Sequence, residues 1–208
     1  MPICRCYLIA TLLFLNGCAG IQPKINLPPV NTSEHQQHLI ALKNIKSFAL
    51  KGRLGVVTQQ KGFSGSVEWQ HVGNVDLASS TDNVEVFSPL GGKVAHIAKN
   101  SNGVTLTSQD GRTTTAPDVE SLTDNALGFK LPLSGLSDWV LGRPATSQID
   151  LLTVDDLGRI LTLKQEGWDI SFENYSQVNA VFLPNKVILK SEKVNLKLII
   201  DSWIDTKQ

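Results

Sequence analysis

The chain has 208 residues, enough for one domain with a sizeable buried core. Nineteen Lys and Arg residues balance nineteen Asp and Glu residues, and a formal charge of zero gives no electrostatic case for binding a nucleic acid. All three cysteines, Cys4, Cys6 and Cys18, precede residue 19, which leaves the rest of the chain without a disulfide framework, a thiol nucleophile or a cysteine metal site.

The N-terminus has the pattern of an export signal. An apolar run over residues 7–15 follows Arg5 and is about half of the ~20 residues that a transmembrane helix needs, so it fits the h-region of a signal peptide. The run ends in the sequence LNGC, which resembles a bacterial lipobox. Residues 1–17 are therefore predicted to be a lipoprotein signal peptide. The alternative is an ordinary signal peptide with a chance cysteine.

The lipobox implies that Cys18 carries S-linked diacylglycerol and an N-linked acyl chain, and no other cofactor is expected. Three acyl chains, at ~0.8 kcal/mol per buried methylene, hold a protein to a membrane far more firmly than one chain. In the enteric sorting rule, Asp after the cysteine retains a lipoprotein in the inner membrane. Ala19 therefore implies a lipid-anchored protein of the outer membrane that faces the periplasm. Residues 18–32, rich in Pro, are predicted to be the lipidated cysteine and a flexible tether.

A helix is predicted over residues 33–45, where leucines recur at helical spacing. Ser33 and Gln36 form a capping box at its start. His35 and His38 lie three residues apart on this helix. We expect them on a solvated face rather than as a metal-binding pair.

The segments after this helix alternate apolar and polar residues or are rich in β-branched and aromatic residues, which predicts about six strands. They cover residues 48–57, 62–71, 74–80, 84–88, 92–99 and 103–108. Two helices are expected next, over residues 117–128 and 134–141, because Pro117 suits a first helical turn and Gly142 suits a helix end. Five more strands are predicted over residues 148–154, 159–166, 168–175, 186–192 and 194–204.

This order of elements predicts a mainly β protein of the α+β class. Short turns between successive strands imply one large antiparallel sheet of about eleven strands. Such a sheet need not close into a barrel, and helices over one curved face would create a lined cavity. Residues 33–208 are predicted to form this single domain.

No pattern indicates catalysis. The segment GFSGS at residues 62–66 lacks the spacing of a nucleophile elbow, and PLGGK at residues 89–93 lacks the spacing of a phosphate-binding loop. There is no H-E-x-x-H motif, and the four histidines are scattered. We predict that the chain is not an enzyme.

Two features remain as candidates for a functional site. Four tryptophans would either pack in the core or line an apolar cavity, and the sequence leaves both open: Trp69, Trp139, Trp168 and Trp203. Leu90 occupies the turn segment FSPLGGK, where a polar residue would be expected. Its side chain either folds back onto the core or points outward into an apolar partner.

The lipobox at Cys18 is followed by the segments GRLGV, VEWQH, SPLGG, DWVLGRP, LGRILTLKQEGWDI and LKLIIDSWI. In their order and spacing they resemble the LolB family of outer-membrane lipoprotein receptors over nearly the whole chain. The resemblance implies an open half-barrel of eleven antiparallel strands, with helices covering its concave apolar face.

The resemblance also implies a function. A LolB-like protein accepts lipoproteins from the periplasmic carrier LolA into an apolar cavity and inserts them into the inner leaflet of the outer membrane, without nucleotide energy. Cys18 matches the lipid anchor, and Leu90 matches the loop leucine that helps to place lipoproteins in the membrane. The four tryptophans match tryptophan positions of the family and are candidates for the cavity lining, but the resemblance leaves open which of them touch lipid.

The expected partners are LolA, the acyl chains of client lipoproteins and the membrane leaflet, with no nucleic acid and no second copy of the chain. The alternative is a structural outer-membrane lipoprotein without a transfer role. Its core would leave no room for lipid.

Overall fold

The computed structural model describes residues 32–59, 61–73, 80–127 and 133–207. Across these ranges eleven strands form one antiparallel sheet, which is open at both edges and accompanied by three helices. The α+β class and the open sheet of eleven strands are thereby confirmed. The predicted signal peptide and Cys18 lie outside the described residues.

The helices are α1 (Ser33–Lys43), α2 (Val119–Leu127) and α3 (Leu133–Trp139). The first six strands are β1 (Ser47–Thr58), β2 (Gly62–Val72), β3 (Thr81–Phe87), β4 (Lys93–Asn100), β5 (Gly103–Ser108) and β6 (Thr113–Ala116). The last five strands are β7 (Ile149–Val154), β8 (Ile160–Gln165), β9 (Trp168–Val178), β10 (Val181–Lys190) and β11 (Val194–Lys207).

The sheet consists of two meanders that meet in the middle. Its spatial order is β6-β5-β4-β3-β2-β1-β11-β10-β9-β8-β7, so β1 and β11 pair at the centre, with Leu54 opposite Leu198. The chain passes from one edge strand, β6, to the other, β7, through α2 and α3. Because both helices bury apolar side chains in the common core, they cover one face of the sheet.

The two faces of the sheet follow the alternation of the sequence. On β1, Phe48 and Leu50 are buried in the core, whereas Lys51 and Arg53 point to the opposite face. There Lys51 forms an ion pair with Glu68 at 2.6 Å, and Arg53 forms an ion pair with Asp201 of β11 at 2.8 Å. These exposed ion pairs contribute little stability, so the buried face supplies most of the driving force for folding.

The strand prediction differs from the structure in several details, and β10, for example, begins at Val181, five residues before the predicted start at residue 186. Strand β6 was missed because its sequence, TTTA, has no apolar alternation. The predicted strand over residues 74–80 lies outside the described residues except for Ser80, which precedes β3.

The start and the exposed face of α1 also differ from the prediction. Thr32, not Ser33, caps the helix, and its hydroxyl accepts a hydrogen bond from the backbone N–H of His35. The prediction that the two histidines are solvated is wrong. His35 is buried, with Nδ1 at 2.8 Å from the carbonyl oxygen of Gly158, and His38 is half-buried.

Arg143 connects α1 to α3. Its guanidinium donates to the carbonyl oxygens of Leu42 and Ile45 at the end of α1 and to the carboxylate of Asp138 on α3. A cation suits these positions because the C-terminal end of a helix carries a partial negative charge. The side chain therefore fixes both helices to one another.

Three hairpin turns share one geometry. They join β3 to β4 over residues 88–92, β5 to β6 over 108–112, and β7 to β8 over 155–159. In each, the first N–H donates to the last carbonyl, the fourth N–H donates to the first carbonyl, and the fourth residue is a glycine in the left-handed region. The backbone thus demands glycine only at the fourth position, and the third position can differ: it holds Leu90, Asp110 and Leu157.

An apolar cavity and an exposed hairpin as the candidate functional site

The inner face of the sheet and α2 line a cavity of about 380 Å³ that opens to solvent at one end. Pockets that bind small molecules usually measure about 300–1,000 Å³. The deeper wall is aliphatic and comes from five elements, with Leu54, Val56, Val86, Ile97, Leu106 and Leu122 as its main side chains. A wall of this chemistry favours an apolar occupant over a polar one.

The strand register explains why these side chains meet. Val86 lies opposite Ala95, and Ile97 lies opposite Leu106, so β3, β4 and β5 each contribute a residue to the same face. The register shifts next to Val86, and both Val94 and Ala95 consequently reach the wall. Bulges often occur beside functional sites, because they redirect a side chain.

The polar members of the wall lie at its exposed end or have partners in their own segment. Lys61 and Ser108 are exposed and stand at the ends of strands, whereas Val86 and Leu122 are buried. The hydroxyl of Thr123, also buried, donates to the Val119 carbonyl oxygen within α2 at 2.9 Å. The cavity therefore changes from an apolar interior to a polar rim.

The four tryptophans occupy the core outside this wall. The indole N–H of Trp69 donates to Asp82, and that of Trp139 donates to Gln165, each at 2.9 Å. Trp168 is buried, while Trp203 is partly buried and packs edge-on against Phe48. None of the four tryptophans lies on the described wall, whose aromatic side chain is that of Phe63 and whose other apolar side chains are aliphatic. Contact between a tryptophan and an acyl chain stays a prediction.

A buried polar cluster that the sequence did not predict lies on the same face of the sheet. Asp82 is 3 % exposed and accepts hydrogen bonds from the Trp69 indole, from His71 Nδ1 at 2.7 Å and from Lys99 Nζ at 3.3 Å. Burial by itself would raise the pKa of Asp82. The hydrogen bonds from His71 and Trp69 and the charges of His71 and Lys99 outweigh burial and hold that pKa below its ordinary value. The cluster binds β2, β3 and β4 together beside the cavity.

The turn from β3 to β4 presents Leu90 to solvent. The side chain is 98 % exposed, so the alternative in which it folds back onto the core is wrong. Below the turn, Lys93 pairs with Glu85 and lies 5.9 Å from the centre of the Phe87 ring. These contacts support a turn whose tip is free of the protein.

Leu90 and the rim of the cavity share one end of the sheet. In an antiparallel meander the turns β1–β2, β3–β4 and β5–β6 all lie at the same end, and the rim residues Lys61 and Ser108 adjoin the first and third of these turns. The exposed leucine therefore stands between two sides of the cavity mouth.

The structure adds two observations on other site types. Within residues 32–59, 61–73, 80–127 and 133–207, no group of three or more His, Cys, Asp or Glu residues is placed to hold a metal ion. In the same ranges no helix is long and apolar enough to cross a membrane.

The sequence and the fold resemble known proteins. A family model described as outer membrane lipoprotein LolB matches residues 46–203. The outer-membrane lipoprotein LolB of Nitrosomonas europaea is 33% identical over 204 residues, covering 96% of this chain and 92% of the relative. That of Thiobacillus denitrificans is 35% identical over 200 residues, covering 96% and 97%. A solved DUF1329 family protein from Desulfovibrio piger has a TM-score of 0.54 at 4% identity, over 82% of this chain and 90% of its own, which is a likeness of fold alone.

Proposed function

This chain belongs to the family of the outer membrane lipoprotein LolB, and we propose that it is a receptor that accepts lipoproteins and delivers them to the inner leaflet of the outer membrane. The acyl chains of the client would occupy the apolar cavity between the sheet and α2. The cavity of about 380 Å³ with its aliphatic wall is the observation that carries this proposal.

The donor of the client is proposed to be the periplasmic carrier LolA. Transfer without a nucleotide has to run downhill, from carrier to receptor to bilayer. A difference of ~1.4 kcal/mol between two sites is enough for a tenfold bias. The cavity would therefore bind acyl chains more tightly than the carrier does and less tightly than the membrane, and no catalytic group is needed.

Two further residues have proposed roles at the membrane. Cys18 would carry the lipids that hold the receptor at the outer membrane. Leu90 would dip into the apolar layer of the bilayer and guide release, and full burial of a leucine is worth about 1.5–3 kcal/mol. Its exposure and its place at the cavity mouth support this role.

The alternative is a structural lipoprotein with no transfer role. It requires a well-packed interior, and the cavity argues against it because an aliphatic cavity of this size is typical of a ligand-binding site. A transfer experiment discriminates between the two functions. A chain that begins at Ala19 retains every described helix and strand and lacks the lipid anchor.

In this experiment the shortened chain is mixed with LolA from the same organism, loaded with a labelled lipoprotein. We expect the label to move to the receptor. Adjacent residues of β1 supply a matched pair of variants, because Val56 lies on the cavity wall and Val57 is 57% exposed. We expect Val56→Trp to fill the cavity and reduce acceptance at least tenfold, and Val57→Trp to leave it unchanged.

Label that stays on the carrier with the unaltered receptor would contradict the proposal and favour the structural alternative. Equal acceptance by the two tryptophan variants would show that the lipid occupies a different place. Circular dichroism of both variants confirms that each has folded.

A further inference from the structure

The mouth of the cavity holds one charged side chain among the described residues of its wall, that of Lys61. No carboxylate in the described part of the chain pairs with its ammonium group. The basic residues next to the two neighbouring turns differ, because Lys93 pairs with Glu85 and Arg112 pairs with Asp110. The ammonium group of Lys61 therefore has no ion-pair partner among the described residues and is available to an anionic ligand.

The backbone of Lys61 is held in place by its own turn. Its carbonyl oxygen accepts from the N–H of Thr58 at 2.9 Å and from the hydroxyl of Thr58 at 3.0 Å. Its N–H donates back to the same hydroxyl at 3.1 Å. Three hydrogen bonds therefore fix the residue at the rim, while the exposed side chain can reach a ligand at the mouth.

The order of chemistry along the cavity matches that of an amphiphile. The buried end is aliphatic at Val86 and Leu122, and the exposed end is lined by the polar residues Lys61 and Ser108. An acyl chain that fills the interior places its head group at the exposed end. A head group there meets a positive charge.

We propose that the cavity binds single-chain amphiphiles with an anionic head group, a carboxylate or a phosphate, with the chain among the aliphatic side chains and the head beside Lys61. This inference rests on the proposed function in one respect, because both require the cavity to admit an acyl chain. A fatty acid and a lysophospholipid share the chemistry. The apolar chain supplies most of the affinity, and an exposed ion pair adds a factor of about two to five.

The test compares three ligands of equal chain length below their micelle concentrations. They are laurate, lauroyl lysophosphatidylglycerol and neutral monolaurin, each of which displaces a neutral fluorescent probe from the chain that begins at Ala19. The variant is Lys61→Gln. The control is Lys193→Gln, an exposed lysine in the turn between β10 and β11 at the same end of the sheet and outside the cavity wall.

We expect Lys61→Gln to weaken laurate or lysolipid two- to fivefold, to leave monolaurin unchanged, and to lose its effect at high salt because screening removes an exposed pair. The Lys193→Gln variant should bind all three ligands as the unaltered chain does. If Lys61 affects only laurate, the ligand class is the fatty acid; if it affects only the lysolipid, it is the membrane phospholipid.

Equal weakening by the two variants, or no selective loss in Lys61→Gln, would overturn the inference while binding of monolaurin still supports the apolar cavity. Failure of all three ligands to displace the probe would overturn the proposed function as well. The two failures are thereby distinguishable.

Discussion

Two turns of this sheet have the same backbone and the same residue at the third position, yet their surroundings differ completely. Leu90 is 98 % exposed, and a Cβ atom added to the following glycine, Gly91, would meet nothing within 4 Å. Leu157 is 57 % exposed, and a Cβ atom on Gly158 would lie 2.3 Å from the backbone nitrogen of His35 on α1. The same hairpin is therefore a free tip at one end of the sheet and a docking point for α1 at the other.

The difference shows that the use of a turn is decided by what packs against it. We call the turn at residues 155–159 the anchored turn, because α1 packs against it. There the carboxylate of Asp155 accepts hydrogen bonds from the N–H groups of Leu157 and Arg159 and from the Arg159 guanidinium. His35 adds a contact to the Gly158 carbonyl oxygen. The free turn at residues 88–92 has its two closing hydrogen bonds, and below it Lys93 pairs with Glu85 and lies over the Phe87 ring. A free tip can approach a second molecule without loss of internal contacts.

The largest effect is expected from alanine at the fourth position of each turn. Gly158→Ala should lower the free energy of unfolding by about 3 kcal/mol or more, because left-handed strain adds to a clash with α1. Gly91→Ala should cost only about 1 kcal/mol, since strain acts there without a clash. Urea denaturation measures both. Equal losses would mean that α1 does not depend on the anchored turn.

A smaller effect is expected from a charge at the third position of the free turn. Leu90→Glu should leave the free energy of unfolding within about 0.5 kcal/mol, because Asp110 occupies the same position of the matching turn at residues 108–112. Delivery of a labelled lipoprotein into liposomes should fall roughly tenfold or more, as expected from about 1.5–3 kcal/mol for a buried leucine.

The control for that variant is Leu157→Glu in the anchored turn, which should deliver normally. Delivery by Leu90→Glu at the unaltered rate would refute the membrane role of Leu90. A comparable loss in both variants would point to charge rather than position.

The smallest effect is expected from lowering the pH, which should weaken the packing of α1 against the anchored turn. Burial, with added repulsion from His35 and Arg159, holds the pKa of His38 below its ordinary value, although Asp155 acts in the opposite direction. The unfolded chain therefore binds a proton more readily than the folded one, so this contribution to stability is complete above the ordinary His pKa of about 6.5 and is lost as the pH falls below it.

Hydrogen exchange, corrected for intrinsic rates, should show α1 opening more readily at about pH 5.5 than at about pH 8, while the free turn at residues 88–92 changes little. His38→Gln should remove this dependence in α1. Retention of the full dependence in that variant would assign it to another group.

The sequence predicted the sheet well where alternation was continuous, and poorly where contacts between distant residues decide the outcome. Strand β11 follows from its regular apolar side, whereas β6 has only threonines and an alanine and is identified by its pairing with β5. The burial of His35 depends on Gly158, 123 positions away, and a polar residue on a short helix carries no local sign of it.

The candidate site shows the same limit. The exposed Leu90 was anticipated because an apolar residue at a turn tip is unusual. The residues that form the cavity wall could not be predicted, because aliphatic residues such as Val86 and Leu106 have the same sequence pattern whether they fill a core or line a cavity. The tryptophans were predicted as candidates for the cavity lining because their side chains are large and apolar. In the structure, Trp69 and Trp139 use their indole N–H groups in internal hydrogen bonds.

The position of α1 limits how far Leu90 can lie from a membrane to which Cys18 is anchored. The start of α1 lies beside Gly158, at the end of the sheet opposite Leu90, so the described chain begins far from the cavity mouth. The 12-residue strand β1 alone spans roughly 40 Å between the two ends. The 14 peptide steps from Cys18 to Thr32 extend at most about 50 Å. If Cys18 is the anchor, Leu90 can meet the same bilayer, because this greatest reach exceeds the distance of roughly 40 Å between the two ends of β1.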